Sequence, residues 1–355
     1  MKIHVCLLIG LLRGVLRRMK CLSGKAGVSE RGAVLLGDSV ACDAFDADRP
    51  LRVVTHAHAD HLGGLRRSLK SCERVLMTAA TRDLIGVVNG SLPLDDGAVE
   101  LLGYGEPFEY GGERVTLVKA DHILGAAQVV VEDAEGSRVA YTGDFRVEGT
   151  APLTDCDTLV VEATYGSPSF KRAFKVDVRE LLVSMVEKRL RHGTVYVFGY
   201  HGKLQEVMQI LHHADVSVPF VMPERVFRVS KICEAHGMRL GCLALSTEKE
   251  GKELLDENLP CVAFYHMNAR RRVGLVGSSR ICVSGWEFHS PCRQIGEREH
   301  LVALSDHSDF DGLIEYVRRC KPKRVVTDNY RVSHGVTLAR EISRRLGISA
   351  VAMPR

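Results

Sequence analysis

Tryptophan is almost absent from this chain. It occurs once, as Trp286, and aromatic residues make up only 6% of the 355 residues. An array of stacked aromatic rings, which many proteins use to hold successive bases of a polynucleotide, is therefore not predicted. An excess of charge of one sign is also missing, because 48 Lys and Arg residues nearly balance 44 Asp and Glu residues. Any attraction for a polyanion has to come from a local cleft, since no long basic tail is present.

Paired cysteines and long apolar runs are missing as well. The 11 cysteines are an odd number without C-x-x-C spacing, so reduced thiols in a cytoplasmic protein are predicted instead of a disulfide framework. The apolar run at residues 5–12 is too short to span a bilayer, and no small-residue cleavage site follows it. We therefore expect no membrane segment. Residues 1–30 are interpreted as a disordered extension or a misassigned start, with an amphipathic surface helix as the alternative.

A cluster of histidines is the strongest feature that is present. Residues 51–55 predict a buried strand, and four polar side chains follow it directly: His56, His58, Asp60 and His61. The imidazoles at 56 and 58 can reach one cation, whereas Asp60 and His61 are displaced toward a second. Neutral imidazoles together with a carboxylate suit zinc or a neighbouring first-row metal. The segment predicts a metal site, and a surface histidine patch is the weaker alternative.

Two later segments supply further metal ligands. His122 follows an apolar stretch at residues 115–118, and Asp144 follows a strand-like segment at 139–142 with a glycine before it. Each residue taken alone has an ordinary explanation, as a satisfied core histidine or as a turn aspartate. Together with the histidine cluster they provide enough ligands for two metals. Asp144 is the natural bridge, because its two oxygens can bind ions roughly 3.5–4 Å apart.

The ordered motifs resemble those of the metallo-β-lactamase superfamily. Three segments in the second half narrow the resemblance to the β-CASP nucleases, which act on RNA or DNA. Glu162 in Val-Glu-Ala-Thr-Tyr-Gly, His307 in Ser-Asp-His-Ser-Asp-Phe and His334 in Val-Ser-His-Gly are similar to the three motifs of that family. The resemblance covers roughly residues 31–350, which is nearly the whole chain.

The resemblance implies an α/β fold class, a metallo-β-lactamase αββα sandwich with an inserted α/β β-CASP cap domain. The expected divisions are the first part of the metallo-β-lactamase domain at 31–170, the cap at 171–300 and the C-terminal part at 301–355. Helical patterns at 176–190 and 204–212 alternate with short apolar strands, which predicts a mainly parallel layer in the cap. Lys203, in the turn before the second helix, resembles a phosphate-facing position of the family. It is a candidate nucleic-acid contact, and an ordinary strand-to-helix turn is the alternative.

A two-metal mechanism also follows from the resemblance. The ligands divide into His56, His58 and His122 for one metal, Asp60, His61 and His334 for the other, and Asp144 as the bridge. Two Zn²⁺ are the expected cofactors, with Mn²⁺ as an alternative, and Asp60 is counted among the catalytic residues as well. His307 is the candidate general acid, because an imidazole titrates near working pH, and Glu162 would hold and polarise it. In the alternative, His307 binds metal and His334 donates the proton.

Several functions follow from this interpretation. The first is hydrolysis of single-stranded RNA or DNA, in RNA processing such as mRNA 3′-end processing or as an exonuclease. A DNA exonuclease of the ligase-associated type, a small-molecule metallo-hydrolase and a non-catalytic partner subunit are the alternatives. The histidine of the third motif favours RNA, although residues 305–312 also look like the ligase-associated DNA exonucleases. Endo- or exonuclease action, polarity and oligomeric state stay open, with a homodimer as one alternative.

Overall fold

The computed structural model describes residues 25–90, 92–94, 97–274 and 277–355. The interpretation of residues 1–24 lies outside the described residues. Residues 26–28 fall in the stretch that we assigned to an extension, and here they form an edge strand whose three residues are all buried. No helix of the described part of the chain is long and apolar enough to cross a membrane.

The first sheet contains six strands in sequence order. They are β1 (Ala26–Val28), β2 (Val34–Leu36), β3 (Val40–Cys42), β4 (Leu51–Val53), β5 (Arg74–Met77) and β6 (Val99–Leu101). The strands from β3 to β6 are parallel. Two helices supply the crossovers that parallel strands require, α1 (Leu65–Ser71) before β5 and α2 (Ala79–Val88) after it.

The second sheet contains seven strands from two separate parts of the chain, residues 107–161 and 324–353. They are β7 (Pro107–Tyr110), β8 (Glu113–Lys119), β9 (Ala127–Asp133), β10 (Arg138–Tyr141), β11 (Thr158–Val161), β19 (Arg324–Asp328) and β20 (Ser349–Met353), in the order β20-β19-β11-β10-β9-β8-β7. Strands β7 to β10 form an antiparallel meander, and β10, β11, β19 and β20 are parallel. Helices α7 (Phe310–Cys320) and α8 (Gly335–Leu346) flank β19.

The two sheets face each other across a shared apolar core. Val34, Leu51 and Val53 of the first sheet pack in one cluster with residues of the second, such as Val129 and Val160. The opposite faces of the two sheets, with Met77 of the first and Val130 of the second, belong to a separate core cluster that also contains side chains of α1, α2, α7 and α8. The order helix, sheet, sheet, helix confirms the predicted αββα sandwich.

A third sheet forms the inserted layer between β11 and β19. Its strands are β12 (Val195–Gly199), β13 (Phe220–Met222), β14 (Leu243–Leu245), β15 (Val262–His266), β16 (Ser279–Val283), β17 (Cys292–Gly296) and β18 (Glu299–Val302), in the order β14-β13-β15-β12-β16-β18-β17. Its helices are α3 (Val178–Leu190), α4 (Lys203–His213), α5 (Glu224–Ala235) and α6 (Lys249–Asp256). All pairs are parallel except the hairpin of β17 and β18. The mainly parallel cap layer is thereby confirmed, whereas the exact domain boundaries stay a prediction.

Candidate metal centre

The loop after β4 brings three histidines to one place. Strand β4 ends at Val53, and His56 follows in a completely buried position. A 3-10 helix, Ala59–His61, then turns the chain so that His61 is buried too. Gly64 begins α1 with a φ of +68°, and a Cβ there would lie 2.7 Å from the Cβ of Phe45. Glycine is therefore required for the chain to leave the site in this direction.

Four of the predicted ligands converge on one point. The ligand atoms of His56, His58, His122 and Asp144 all lie within 4.8 Å of one another. Nε2 of His122 is 3.0 Å from Nδ1 of His58 and 3.8 Å from Oδ2 of Asp144. Three imidazoles and one carboxylate at this separation can surround a single ion of the zinc type.

The second predicted set is less compact. Nε2 of His61 lies 3.2 Å from Oδ2 of Asp144, the same oxygen that His56 and His122 approach, and 3.6 Å from Oδ2 of Asp60. The Asp60 side chain is 65% exposed. His334 is the N-cap residue of α8, and its ring packs against Phe170 at 4.8 Å. The groups of three or more ligand atoms found among the described residues do not include Asp60, His61 or His334, so the ligands of a second metal stay a prediction.

Two buried nitrogen atoms test whether these residues fit a metal. Nε2 of His56 and Nε2 of His61 are both buried without a hydrogen-bond partner. A buried polar atom without a partner is costly, and a cation next to Asp144 would satisfy both atoms. Burial, and then the neighbouring imidazoles, hold the pKa of His56 and His58 well below the usual range. The neutral imidazole is the form that binds metal, so His56 and His58 fit a metal site.

Asp43 is a residue of this site that sequence reasoning missed. It is buried with a φ of 60°, and its carboxylate accepts hydrogen bonds from the amide and hydroxyl of Thr55 at 2.9 and 2.7 Å. Nδ1 of His61 lies 2.7 Å from the same carboxylate, which leaves Nε2 directed at Asp144. Burial lowers the pKa of His61, but Asp144 and Asp43 outweigh it and raise the pKa to about 10. A carboxylate that orients a metal-binding imidazole is a common feature of metal sites. The available signal was an aspartate directly after the apolar residues 40–42.

His307 and Glu162 form the pair that the sequence motifs predicted. Nδ1 of His307 lies 3.1 and 3.2 Å from the two carboxylate oxygens of Glu162. The amides of Phe145 and Thr164 donate to these oxygens and hold the carboxylate in place. Nε2 of His307 is 4.0 Å from Oδ2 of Asp144. Burial lowers the pKa of His307, but Glu162 and Asp144 raise it to about 9, so the imidazole carries a proton near neutral pH.

Lys203 lies in the cap and reaches into the loop before His307. Its amino group is buried and donates to Oδ1 of Asp306 at 2.6 Å and to the Leu304 carbonyl at 3.1 Å. The backbone carbonyl of Asp306 accepts a hydrogen bond from Nδ1 of His122 at 2.8 Å, which leaves Nε2 of His122 for a metal. Lys203 therefore supports the metal ligands across the domain interface, and its predicted contact with a phosphate stays a prediction.

Other contacts hold the cap close to the metal cluster. A Cβ at Gly202, whose φ is +85°, would lie 2.2 Å from Cγ2 of Ile123. The His201 carbonyl lies 3.3 Å from Nε2 of His58. Arg146 pairs with Asp121 at 2.8 Å and with Glu206 of the cap helix α4. A cleft of about 830 Å³ runs between the domains and reaches His122.

Comparisons with known proteins agree with this geometry. Residues 48–201 match the family model of the beta-lactamase superfamily domain. An "Uncharacterized protein in lig 3′region" of Acidianus ambivalens is 40% identical over 138 residues, which are 39% of this chain and 99% of that protein. A "Probable DNA ligase" of Opitutus terrae is 24% identical over 286 residues, which are 77% of this chain and 26% of that protein. "Transcription termination factor FttA" of Pyrococcus horikoshii is 23% identical over 390 residues, covering 84% of this chain and 60% of that protein.

A solved structure supports the same fold. The crystal structure of a protein of unknown function from Enterococcus faecalis superposes with a TM-score of 0.55 at 15% identity, covering 80% of this chain and 76% of that chain. The chain spans only 26% and 60% of the length of the ligase and the termination factor. The fold, the metal-ligand cluster and these relatives lead to one conclusion. The chain belongs to the metallo-β-lactamase superfamily and, within it, to the β-CASP nuclease family.

Proposed function

We propose that this protein is a two-metal phosphodiesterase that hydrolyses single-stranded nucleic acid. The observation that carries the proposal is the pair of His307 and Glu162 beside Asp144, with Nε2 of His307 4.0 Å from the carboxylate. A proton donor thus stands next to a cluster of metal ligands, which is the combination that cleavage of a phosphodiester needs.

The metals would have defined positions and a defined chemistry. His56, His58, His122 and Asp144 would hold one ion, and Asp60, His61 and His334 would hold a second one, with Asp144 shared between them. Two divalent cations, zinc or alternatively manganese, would polarise the phosphodiester and activate a water molecule when bound. Asp43 would keep His61 in the tautomer that directs Nε2 at the metals.

The protein residues would handle the proton of the leaving group. Glu162 fixes the orientation of His307 through Nδ1, so the proton at Nε2 faces the space beside Asp144. A departing sugar oxygen in that space would take this proton. The amides of Phe145 and Thr164 donate to the Glu162 carboxylate and hold it in place against Nδ1 of His307.

RNA is the first candidate substrate, and DNA is the second. A relative that is a transcription termination factor supports RNA, together with the histidine of the third motif. DNA is supported by the relative that is called a probable DNA ligase and by the one named for the lig 3′ region. We place the activity in the cytoplasm, because all nine cysteines of the described part of the chain are free thiols. A homodimer stays a prediction.

Matched oligonucleotides test the proposal directly. Single-stranded RNA and DNA of the same sequence, labelled at either end, are incubated with the protein and zinc or manganese. We expect metal-dependent cleavage of one polymer that is abolished by a chelator and by Asp60→Ala. The products then show sugar preference and polarity. If protein that carries two metal ions cleaves neither polymer, the proposal is wrong and a small-molecule hydrolase becomes the better interpretation.

A further inference from the structure

We propose that Trp286 and Arg172 form a subsite for one nucleobase and its phosphate beside the reaction centre, an inference that rests on the proposed function. Trp286 is the only tryptophan of the chain. The residue is 55% exposed, although its ring contacts the rings of Tyr165 and Phe170. An exposed aromatic ring offers a flat surface on which a nucleobase stacks.

The position of Trp286 follows from the cap sheet. Strands β12, β15 and β16 are parallel, so their carboxyl ends lie along one edge. The end of β12 leads to His201, whose carbonyl is 3.3 Å from Nε2 of His58. The end of β16 leads to Trp286 along the same edge. Ligands of open α/β sheets bind at this edge, so Trp286 lies on the substrate side of the cap.

The aromatic contacts connect Trp286 with the predicted catalytic histidines. The ring of Tyr165 lies 5.0 Å from the Trp286 ring at 87°, and it lies 5.7 Å from the ring of His307. Phe170 lies 5.7 Å from Trp286 and 4.8 Å from His334. One layer of rings thus separates the indole from both histidines. A base stacked on the indole would belong to a nucleotide close to the bond that is cleaved.

The geometry of the ring group suits one base. The three aromatic rings recorded around Trp286 are all nearly perpendicular to it, so none of these described rings stacks flat on the indole. Gly285 lets the backbone before Trp286 pass close to Tyr165, because a Cβ at this position would lie 2.3 Å from Oη of Tyr165. The indole thus packs edge-to-face against its neighbours. An aromatic side chain has only two rotatable bonds, so it loses little entropy when a base stacks on it.

Arg172 adds a positive charge at the same place. Its guanidinium carbon lies 5.5 Å from the Tyr165 ring and 5.4 Å from the Phe288 ring, and Nη2 donates to the Gly285 carbonyl at 3.3 Å. The ion pairs recorded among the described residues do not include Arg172, so its charge has no carboxylate partner there. A guanidinium held next to a stacking surface matches a nucleotide phosphate.

Fluorescence of the single tryptophan tests the subsite without turnover. Asp60→Ala protein is titrated in the presence of a chelator with single-stranded oligonucleotides, and with abasic oligonucleotides of the same length and charge. We expect saturable quenching by the oligonucleotide with bases and weak or no quenching by the abasic one. Equal quenching by both would contradict base stacking. Quenching without any cleavage by the wild-type protein would support the subsite and contradict the proposed function, so the two failures are distinguishable.

Kinetics with the polymer that the wild-type protein cleaves give the second test. Trp286→Ala should raise KM roughly tenfold, because stacking on one ring is lost, with kcat changed less than about twofold. Trp286→Phe should recover part of the loss. Leu259→Ala is the matched control, because Leu259 is 40% exposed and precedes β15 at the other end of the cap sheet. An unchanged KM in Trp286→Ala, or an equal rise in Leu259→Ala, would overturn the proposal.

Discussion

The amino group of Lys203 donates to the carboxylate of Asp306 over 2.6 Å, and this buried ion pair joins the cap to the loop that carries His307. The two residues are 103 positions apart in the chain. Because the Asp306 carbonyl also accepts from His122, the pair connects the cap with a metal ligand and with the candidate acid at once.

Removal of one partner of this pair should destabilise the protein strongly. Lys203→Met leaves the buried carboxylate of Asp306 without its cation, and we expect a loss of about 3–5 kcal/mol in the free energy of unfolding. The double variant Lys203→Met/Asp306→Leu should recover much of this loss, because no buried charge is left alone. Denaturant unfolding measures both effects.

An exposed pair provides the control. Lys231 and Glu234 form an ion pair on the surface of α5, with the Lys231 side chain 55% exposed. Lys231→Met should cost less than about 1 kcal/mol, because solvent screens exposed pairs. Similar losses in Lys203→Met and Lys231→Met would show that the buried pair has no special role.

Substitution of the candidate acid should separate turnover from metal binding. In His307→Ala the imidazole beside Asp144 is removed, whereas the cluster of His56, His58, His122 and Asp144 is intact. We expect turnover to fall by roughly 10²–10⁴-fold with an unchanged metal-to-protein ratio. Elemental analysis of the purified variant decides the point. Loss of one metal equivalent would assign His307 to the ligands and favour His334 as the acid.

Asp43 should control metal affinity although it reaches no metal itself. Asp43→Asn keeps the shape of the side chain but removes the charge that orients His61. We expect metal affinity to fall about 10–100-fold, measured by competition with a chelator of known affinity. Asp48→Asn is the matched control at an exposed aspartate of the neighbouring loop. Unchanged affinity in Asp43→Asn would mean that backbone contacts alone orient His61.

The stability of the cap edge should depend on pH through Glu299. Hydrogen bonds from Arg270, at 2.7 and 2.9 Å, lower the pKa of Glu299 to about 2. The folded pKa is thus below the unfolded one, which is near 4.3. The contribution is complete above that unfolded value and is lost as the pH falls toward about 2.

We therefore expect Glu299→Gln to lower the free energy of unfolding by about 1–2 kcal/mol at neutral pH and by less at pH near 3. Unfolding curves at both pH values test this dependence. Glu297→Gln, at an exposed position two residues earlier, should leave stability unchanged at both. A loss in Glu299→Gln that does not vary with pH would contradict the linkage.

The sequence indicated the residues of the histidine cluster more readily than the groups that support them. His56, His58 and His61 stand close together in the chain, so their spacing alone indicates a site. Asp43 was not predicted as a site residue. It lies next to Thr55 only because β3 pairs in parallel with β4. Spacing in the chain contains no information about such a neighbour.

Lys203 and the last cap strands show the same limit. The sequence placed Lys203 in the turn before a helix, and the helix begins at Lys203 itself. Its partner Asp306 belongs to a distant segment, which spacing in the chain does not indicate. Strands β17 and β18 were not predicted, because their residues are mostly half-buried or exposed and lack a clear apolar alternation. An alternation of apolar and polar residues indicates a strand with one buried face. Strands β17 and β18 bury few of their side chains, so they lack this alternation.

The inserted layer leaves and rejoins the metallo-β-lactamase domain at nearly the same point. The amide of Phe310, at the return, donates to the carbonyl of Phe170, at the departure, over 3.1 Å. A folded cap therefore holds together the two ends that β11 and β19 need for pairing. The entropic cost of closing this long loop then arises when the cap folds, and it does not add to the cost of forming the second sheet. Once the cap has folded, the contacts between β11 and β19 join segments that are already close in space. We therefore expect the large insert to slow folding little more than a short loop would.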